Sequence, residues 1–260
     1  MTTAAEHPYF DAPPLALAHR GGSRYAPNRG IENTMTAFRN AVELGYRYLE
    51  TDVHATSDGH LIAFHDNRLD RLTDGQGLVA ALPWSVVRTA RVNGSEPIPQ
   101  LAELFEAFPH TRINIDIKAG GALSPLWQAI REHGTEDRVC VGSFSNRRPA
   151  GRLADRRVAT AAGPVGTAAL RFAPGWVSAL LHSPAQVLQV PSAHTIRGRT
   201  FRLVTAGLVS AAHRLGKQVH VWTVDDPDEM TRLLDLGVDG IISDRIDTLR
   251  DMLTARGQWR

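Results

Sequence analysis

A chain of 260 residues with 43% apolar and 22% charged side chains has the size of one α/β barrel and an ordinary polar surface. Its 29 basic and 27 acidic residues leave a net charge of +2, which gives no electrostatic reason to expect nucleic acid as a partner. The single cysteine, Cys140, excludes an intrachain disulfide and fits a reducing, cytoplasmic compartment.

In chain order, residues 1–14 lack a basic stretch followed by an apolar run, so no secretory signal is expected. Short β-branched apolar runs then alternate with helical patterns, the signature of βα units around a parallel sheet. The expected strands are Leu15–His19, Tyr48–Asp52, Ile113–Lys118, Val139–Phe144, Val158–Ala161, Val187–Val190, Val219–Val224 and Gly240–Asp244. Helices are expected over Met35–Leu44, Leu101–Phe108, Ser124–His133, Val204–Leu215, Asp228–Leu236 and Asp247–Ala255. Asp226-Pro227 places a capping residue before a proline at the first helical position, while Gly216 and Gly237 close helices where a left-handed residue is wanted. Cys140 lies within Val139-Cys140-Val141 and reads as a buried structural thiol. The charge-free stretch Phe172–Ile196 is broken by Pro174, Gly175, Pro184 and Pro191, so it reads as a barrel segment rather than a membrane span.

Residues 54–65 depart from the alternation. They read as a hairpin around Ser57-Asp58-Gly59 that returns His65 toward Asp52, and residues 66–97 follow as a small turn-rich excursion. The whole chain, 1–260, is read as one domain carrying an insertion at about 54–97.

The chemistry-bearing residues sit at strand ends. Glu50 and Asp52 are two apart on a strand and point the same way, as do Asp116 and Lys118 on the next barrel strand. Catalytic groups of such barrels project from the C-terminal ends of the strands. Two carboxylates about 4 Å apart repel by roughly 4 kcal/mol at an effective dielectric near 20, so three in one pocket call for a proton or a divalent cation. All-oxygen donors favour Mg²⁺ or Ca²⁺ over zinc. His19 and His65 supply an acid and a base for diester cleavage, a pairing worth about 10²–10⁴-fold for each positioned group. Arg20 and Lys118 are cations suited to a phosphoryl group gaining charge, and Gly21-Gly22 permit close backbone approach. His54, His60, His110, His133 and His213 read as surface residues.

Together these motifs resemble the glycerophosphodiester phosphodiesterase family of phospholipase-C-like phosphodiesterases. The matching segments are His19-Arg20-Gly21, Glu32-Asn33-Thr34, Glu50-Thr51-Asp52-Val53, Thr56-Ser57-Asp58-Gly59 and His65-Asp66. Leu69 to Gly75, Ile98 to Leu101, Ile115 to Lys118, Ser143-Phe144, Val221 to Val224 and Gly240 to Asp244 extend the likeness over about residues 15–250. The resemblance implies a TIM (β/α)8 barrel with a small insertion after the second barrel strand, and hydrolysis of glycerophosphodiesters to an alcohol and sn-glycerol 3-phosphate. It implies that His19 and His65 are the acid–base pair, that Arg20 contacts phosphate, that Lys118 stabilises phosphoryl charge, and that Glu50, Asp52 and Asp116 hold the metal. Glu32 becomes a site carboxylate of unassigned role, and Trp222 a pocket-lining aromatic. The same resemblance suggests His19 as acid and His65 as base, an order the residues alone do not give.

The chain departs from the family pattern at three places. Asp116 stands where the family usually has glutamate, Ile31 where it has proline, and residues 151–202 match only weakly. Two other activities fit parts of the sequence. Cleavage of lysophospholipids, as by a lysophospholipase D, would use the apolar stretch Trp176–Leu181 as a lip for an acyl chain. A non-catalytic phosphate-binding barrel would have no use for the acid–base pair. Oligomeric state has no signature in the sequence.

Overall fold

Eight parallel strands close on themselves in the computed structural model of the chain, which describes residues 3–11, 13–142, 157–163, 167, 184–196 and 199–260. The barrel strands are β1 (Leu15–His19), β2 (Tyr48–Ala55), β3 (Arg112–Ile117), β4 (Val139–Gly142), β5 (Ala159–Ala162), β6 (Val187–Pro191), β7 (Gln218–Trp222) and β8 (Gly240–Ser243). Strand β1 pairs on one side with β8, Leu15 opposite Gly240, and on the other with β2, His19 opposite Glu50, which closes the ring. Helices α1 (Met35–Glu43), α2 (Trp84–Val87), α3 (Leu101–Ala107), α4 (Leu123–Glu132), α5 (Ala206–Arg214), α6 (Pro227–Asp235) and α7 (Ile246–Ala255) lie between strands or in the insertion. This is the TIM barrel that the alternating pattern predicts.

Local chemistry sets the boundaries. Asp226 accepts from the backbone N–H groups of Asp228 and Glu229 at 2.8 and 3.1 Å, and Pro227 opens α6 as expected. The expected Val204–Leu215 helix begins only at Ala206, because Thr205 is extended and its hydroxyl caps the Leu208 N–H. Gly216 and Gly237 adopt φ of +66° and +80° after α5 and α6. The end of the expected strand Val139–Phe144, Ser143-Phe144, and the expected acyl lip Trp176–Leu181 lie outside the described residues. Within Phe172–Ile196, residues Val187–Pro191 form β6, and among the described residues no helix is long and apolar enough to cross a membrane.

Alternate residues of each strand divide the core in two. Outward residues such as Leu49, Val53, Ile113, Ile115, Val219 and Val221 meet Phe38, Leu104, Leu126, Leu233 and Leu249 from the helices. Each such side chain, fully buried, contributes about 1.5–3 kcal/mol. Inward residues Leu15, Leu17, Tyr48, Cys140, Val187 and Ile242 form a second cluster with Tyr9 and Phe10. The Tyr48 hydroxyl donates to the Tyr9 carbonyl at 2.8 Å and accepts from the Asp11 N–H at 2.9 Å, so the segment before β1 seals the N-terminal end of the barrel. Cys140 is fully buried, and burial pushes its thiol pKa up, as a structural role requires.

The predicted hairpin forms. Leu61–Ala63 pairs antiparallel with the end of β2, Val53 opposite Ala63, which carries β2 three residues past the expected Asp52. Gly59 supplies φ of +88° at the turn, and Phe64 N–H donates to the Asp52 carbonyl at 2.9 Å. The excursion beyond it has its own small core of Ile62, Phe64, Leu69, Val79, Val87, Val92 and Ile98.

Candidate active site

At the C-terminal ends of β1, β2, β3 and β8 the strands present a buried cluster of charge. Register brings it about: His19 lies beside Glu50, and Asp52 beside Asp116. Glu50 and Asp52 are 5% and 1% exposed, so these acids are no solvated strand face.

Each acid has a different environment. Asp52 is held by Arg20 Nε at 2.9 Å, Lys118 Nζ at 2.8 Å and the Asn33 amide at 3.1 Å. Burial alone would raise its pKa, but Arg20 and Lys118 outweigh burial and hold it below the usual range. Asp116 sits 2.7 Å from Lys118 Nζ, and burial nonetheless leaves its pKa raised. Glu50 accepts from the Arg20 backbone N–H at 3.2 Å and faces His19 Nε2 at 3.8 Å. Burial, and then the charge of Asp52, push its pKa up to about 7.

The two histidines share one arrangement. His19 Nδ1 lies 2.8 Å from Asp244 Oδ1, and His65 Nδ1 lies 2.7 Å from Asp66 Oδ1. An aspartate at Nδ1 fixes the tautomer with its proton there and turns Nε2 to the opposite side of the ring. For His19 that side faces Glu50. Burial works against protonation of His19, but Glu50 and Asp244 outweigh it and raise its pKa. Asp244 is positioned by Asp225, whose Oδ1 accepts from the Asp244 N–H at 2.9 Å and the Ser243 hydroxyl at 3.0 Å.

The loop after β1 is shaped around this cluster. Arg20 takes φ of +51°, and Gly21 and Gly22 take +84° and +89°. A Cβ on Gly21 would come within 2.9 Å of the α1 backbone at Ala37, and one on Gly22 within 2.7 Å of Ile246 in α7, so the close approach expected of the glycines is to flanking helices. Three consecutive residues of the next turn then do three tasks. Glu32 pairs with Arg20 at 3.1 Å, Asn33 donates to Asp52, and Thr34 caps α1 at the Ala37 N–H.

The structure therefore brings together His19, Arg20, Glu32, Glu50, Asp52, Asp116 and Lys118, with His65 delivered by the hairpin. Trp222, the last residue of β7, is half-buried and packs against the inner cluster of the barrel. The expected metal ligands Glu50, Asp52 and Asp116 lie on the adjacent strands β2 and β3. Arg20 and Lys118 already neutralise Asp52 and Asp116, and among the described residues no three histidine, cysteine or acidic side chains are gathered as a metal group.

One histidine and one aspartate of the site escaped the sequence reading. His54 was expected at the surface but is 4% exposed, with Nε2 3.0 Å from the His65 carbonyl, and burial lowers its pKa. Its parity with Glu50 and Asp52 on one strand was the available signal. Asp244 belongs to a motif noted in the sequence, but nothing there ties it to a histidine 225 residues away. His60, His110 and His213 are exposed as expected, and His133 is half-buried against the Ala129 carbonyl. An open cleft of about 520 Å³ beside the cluster is lined by His54, His65, Asp66, Arg71 and Lys118, among others.

Comparison with known proteins agrees with this geometry. Residues 19–248 match the Glycerophosphoryl diester phosphodiesterase family. A probable glycerophosphodiester phosphodiesterase 2 of Mycobacterium tuberculosis is 43% identical over 257 residues, covering 94% of this chain and 92% of the relative. A glycerophosphodiester phosphodiesterase of Caldanaerobacter subterraneus is 32% identical over 262 residues, covering 94% and 99%. Among solved structures, an Oleispira antarctica phosphodiesterase in complex with the product sn-glycerol-3-phosphate superposes with a TM-score of 0.77 at 23% identity, over 93% of this chain and 97% of that one. The chain belongs to the glycerophosphoryl diester phosphodiesterase family.

Proposed function

We propose that this chain, one domain with its insertion at about 54–97, hydrolyses glycerophosphodiesters to an alcohol and sn-glycerol 3-phosphate. The observation that carries the proposal is the pair of histidines, each tied through Nδ1 to an aspartate, beside a buried cluster of three acids and two cations. A phosphate-binding barrel without catalysis needs no such pair.

The donor set suits a hard divalent cation, Mg²⁺ or Ca²⁺: all its oxygens are carboxylate, and Glu50 carries a pKa of about 7 because its buried charge is not fully balanced. Glu50, Asp52 and Asp116 would hold it, and the cation would supply Lewis-acid charge to a phosphoryl oxygen. Arg20 and Lys118, fixed by Asp52, present positive charge where the phosphoryl group gains negative charge. The histidines move protons at Nε2. One removes a proton from the attacking water as its oxygen bonds to phosphorus, and the other protonates the leaving alkoxide as the P–O bond to the alcohol breaks. His19, whose pKa its acidic neighbours raise, is suited to the acid role and His65 to the base role.

Among the described residues the cleft is lined by charged, amide and imidazole side chains such as His65, Asn67, Arg71 and Lys118, which suit the polar glycerophosphoryl part of a substrate; the Trp176–Leu181 stretch expected as an acyl lip lies outside the described residues. The wild-type enzyme incubated with glycerophosphocholine in excess chelator should release no sn-glycerol 3-phosphate, and added Mg²⁺, Ca²⁺ or Mn²⁺ should start the reaction. Full turnover in chelator sinks the metal assignment. Faster cleavage of lysophosphatidylcholine than of glycerophosphocholine transfers the activity to a lysophospholipase D.

A further inference from the structure

Arg71 belongs to the insertion, not to the barrel, and half of its side chain is exposed, so it has the outward marks of a surface residue. Its contacts point elsewhere. Nε and Nη2 grip both oxygens of Asp66, at 2.5 and 3.0 Å, and the same Nη2 reaches Glu32 Oε1 at 3.0 Å. Asp66 Oδ1 is the oxygen that holds His65 Nδ1. Glu32 Oε1 is also the oxygen that holds Arg20 Nη1 at 3.1 Å. One guanidinium thus joins the hairpin histidine on one side of the cleft to the phosphate-facing arginine on the other.

The loop that carries Arg71 is built to keep it in place. Leu69 is buried in the insertion core, and its N–H donates to the Gly77 carbonyl at 3.0 Å. The Thr73 hydroxyl donates to the Leu69 carbonyl at 2.9 Å and accepts from the Gly75 N–H at 3.0 Å. Asp70 accepts from the Gly77 N–H at 3.0 Å, closing the loop from the other side. A bidentate arginine–carboxylate pair on a fixed loop, shared with a second acid, is the geometry in which a part-exposed ion pair contributes most. Asp66 responds accordingly: the hydrogen bonds from Arg71 bring its pKa down to about 2, so it accepts from His65 as a full carboxylate.

We infer that Arg71 is a positioning residue for the hydrolysis, locking His65 through Asp66 and tying that lock to Glu32 and Arg20. The inference rests on the proposed function, because it needs His65 to act in the reaction. It also gives the insertion a task, which is to carry the clamp. Without Arg71, Glu32 keeps its pair with Arg20, but Asp66 loses the guanidinium that holds its carboxylate in one orientation against the His65 imidazole.

The test is a double-mutant cycle on glycerophosphocholine with Arg71→Met, Asp66→Asn and His65→Ala, alone and combined, with thermal unfolding measured on each protein. Arg71→Met should lower kcat ten- to a hundredfold while KM changes less than threefold, and Asp66→Asn should do the same. In the His65→Ala background, Arg71→Met should cost less than threefold, because the group it acts through is gone. Millimolar guanidinium should restore part of the kcat lost in Arg71→Met, and Arg71→Lys, which keeps the charge without the fork, should lie between it and wild type. An undiminished kcat in Arg71→Met, a loss confined to KM, or an equal loss with and without His65 overturns the inference. If His65→Ala itself keeps wild-type activity, the proposed function fails, and this inference with it.

Discussion

Replacing Lys118 by methionine keeps the hydrocarbon stem and removes the ammonium that sits 2.8 Å from Asp52 and 2.7 Å from Asp116. Both carboxylates lie within reach of one nitrogen, so their oxygens stand about 5 Å apart, and at an effective dielectric near 20 their repulsion is roughly 3 kcal/mol. Removing one partner of a buried ion pair costs about 3–5 kcal/mol, and the partial exposure of Lys118 places this case near the lower end. About 3 kcal/mol in a chain of 260 residues corresponds to a fall of roughly 6–10 °C in Tm. The sign with pH follows from the charges. With the cation gone, the native pKa values of both acids rise, so the deficit relative to wild type is fully present at pH 8 and narrows as falling pH protonates one of them. Scanning calorimetry of both proteins between pH 5 and 8 measures it, and added Mg²⁺ or Ca²⁺ should stabilise the variant more than wild type. A deficit that stays constant across that range would refute the electrostatic reasoning and leave only lost packing.

Two further outcomes are expected. Burial inside the barrel pushes the His220 pKa down to about 3, so the native imidazole stays neutral while the unfolded one protonates below about 6.5. The unfolded state then binds more protons, and stability should fall by up to about 1.4 kcal/mol per pH unit from 6.5 downward, with His220→Gln flattening that limb in a Tm–pH series. Parallel curves for the two proteins would exclude it. Asp116→Ala should weaken Mg²⁺ or Ca²⁺ binding in titration calorimetry, whereas Asp116→Glu should retain it. Unchanged affinity in Asp116→Ala together with a lower Tm would make Asp116 a partner of Lys118 only.

The barrel was legible because its signals are local and periodic. Leu15–His19, Tyr48–Asp52 and Gly240–Asp244 alternate between apolar faces, and caps such as Asp226-Pro227 and turns such as Ser57-Asp58-Gly59 are set by residues adjacent in the chain. The acids were legible for the same reason: parity alone puts Glu50 and Asp52 on one face. That rule also covers His54, and it was missed only because histidine is so often a surface residue. Contacts between distant parts of the chain were harder to see. Asn114 and Gln189, bonded at 2.7 Å in the barrel interior, are 75 positions apart, and the His19–Asp244 pair, at the ends of the neighbouring strands that close the ring, is 225 positions apart in the chain. Arg71 had no periodic context at all, since its loop is shaped by hydrogen bonds among Leu69, Thr73, Gly75 and Gly77. The neutralising role of Lys118 and Arg20 was hidden too, because a sequence gives the count of charges near a site but not which of them touch.

The central claim is that His19 and His65 carry out acid–base hydrolysis at this cluster. It is tested most directly by the rate of sn-glycerol 3-phosphate release from glycerophosphocholine by His19→Ala and His65→Ala, measured with saturating divalent metal. Each variant should lose at least about a hundredfold in kcat, roughly 3 kcal/mol of transition-state stabilisation, with a much smaller change in KM. A nitrophenyl phosphodiester, whose leaving group needs little protonation, should rescue only the variant lacking the general acid, His19→Ala. Near-normal kcat on the natural diester in both variants would contradict the account and make the two histidines structural.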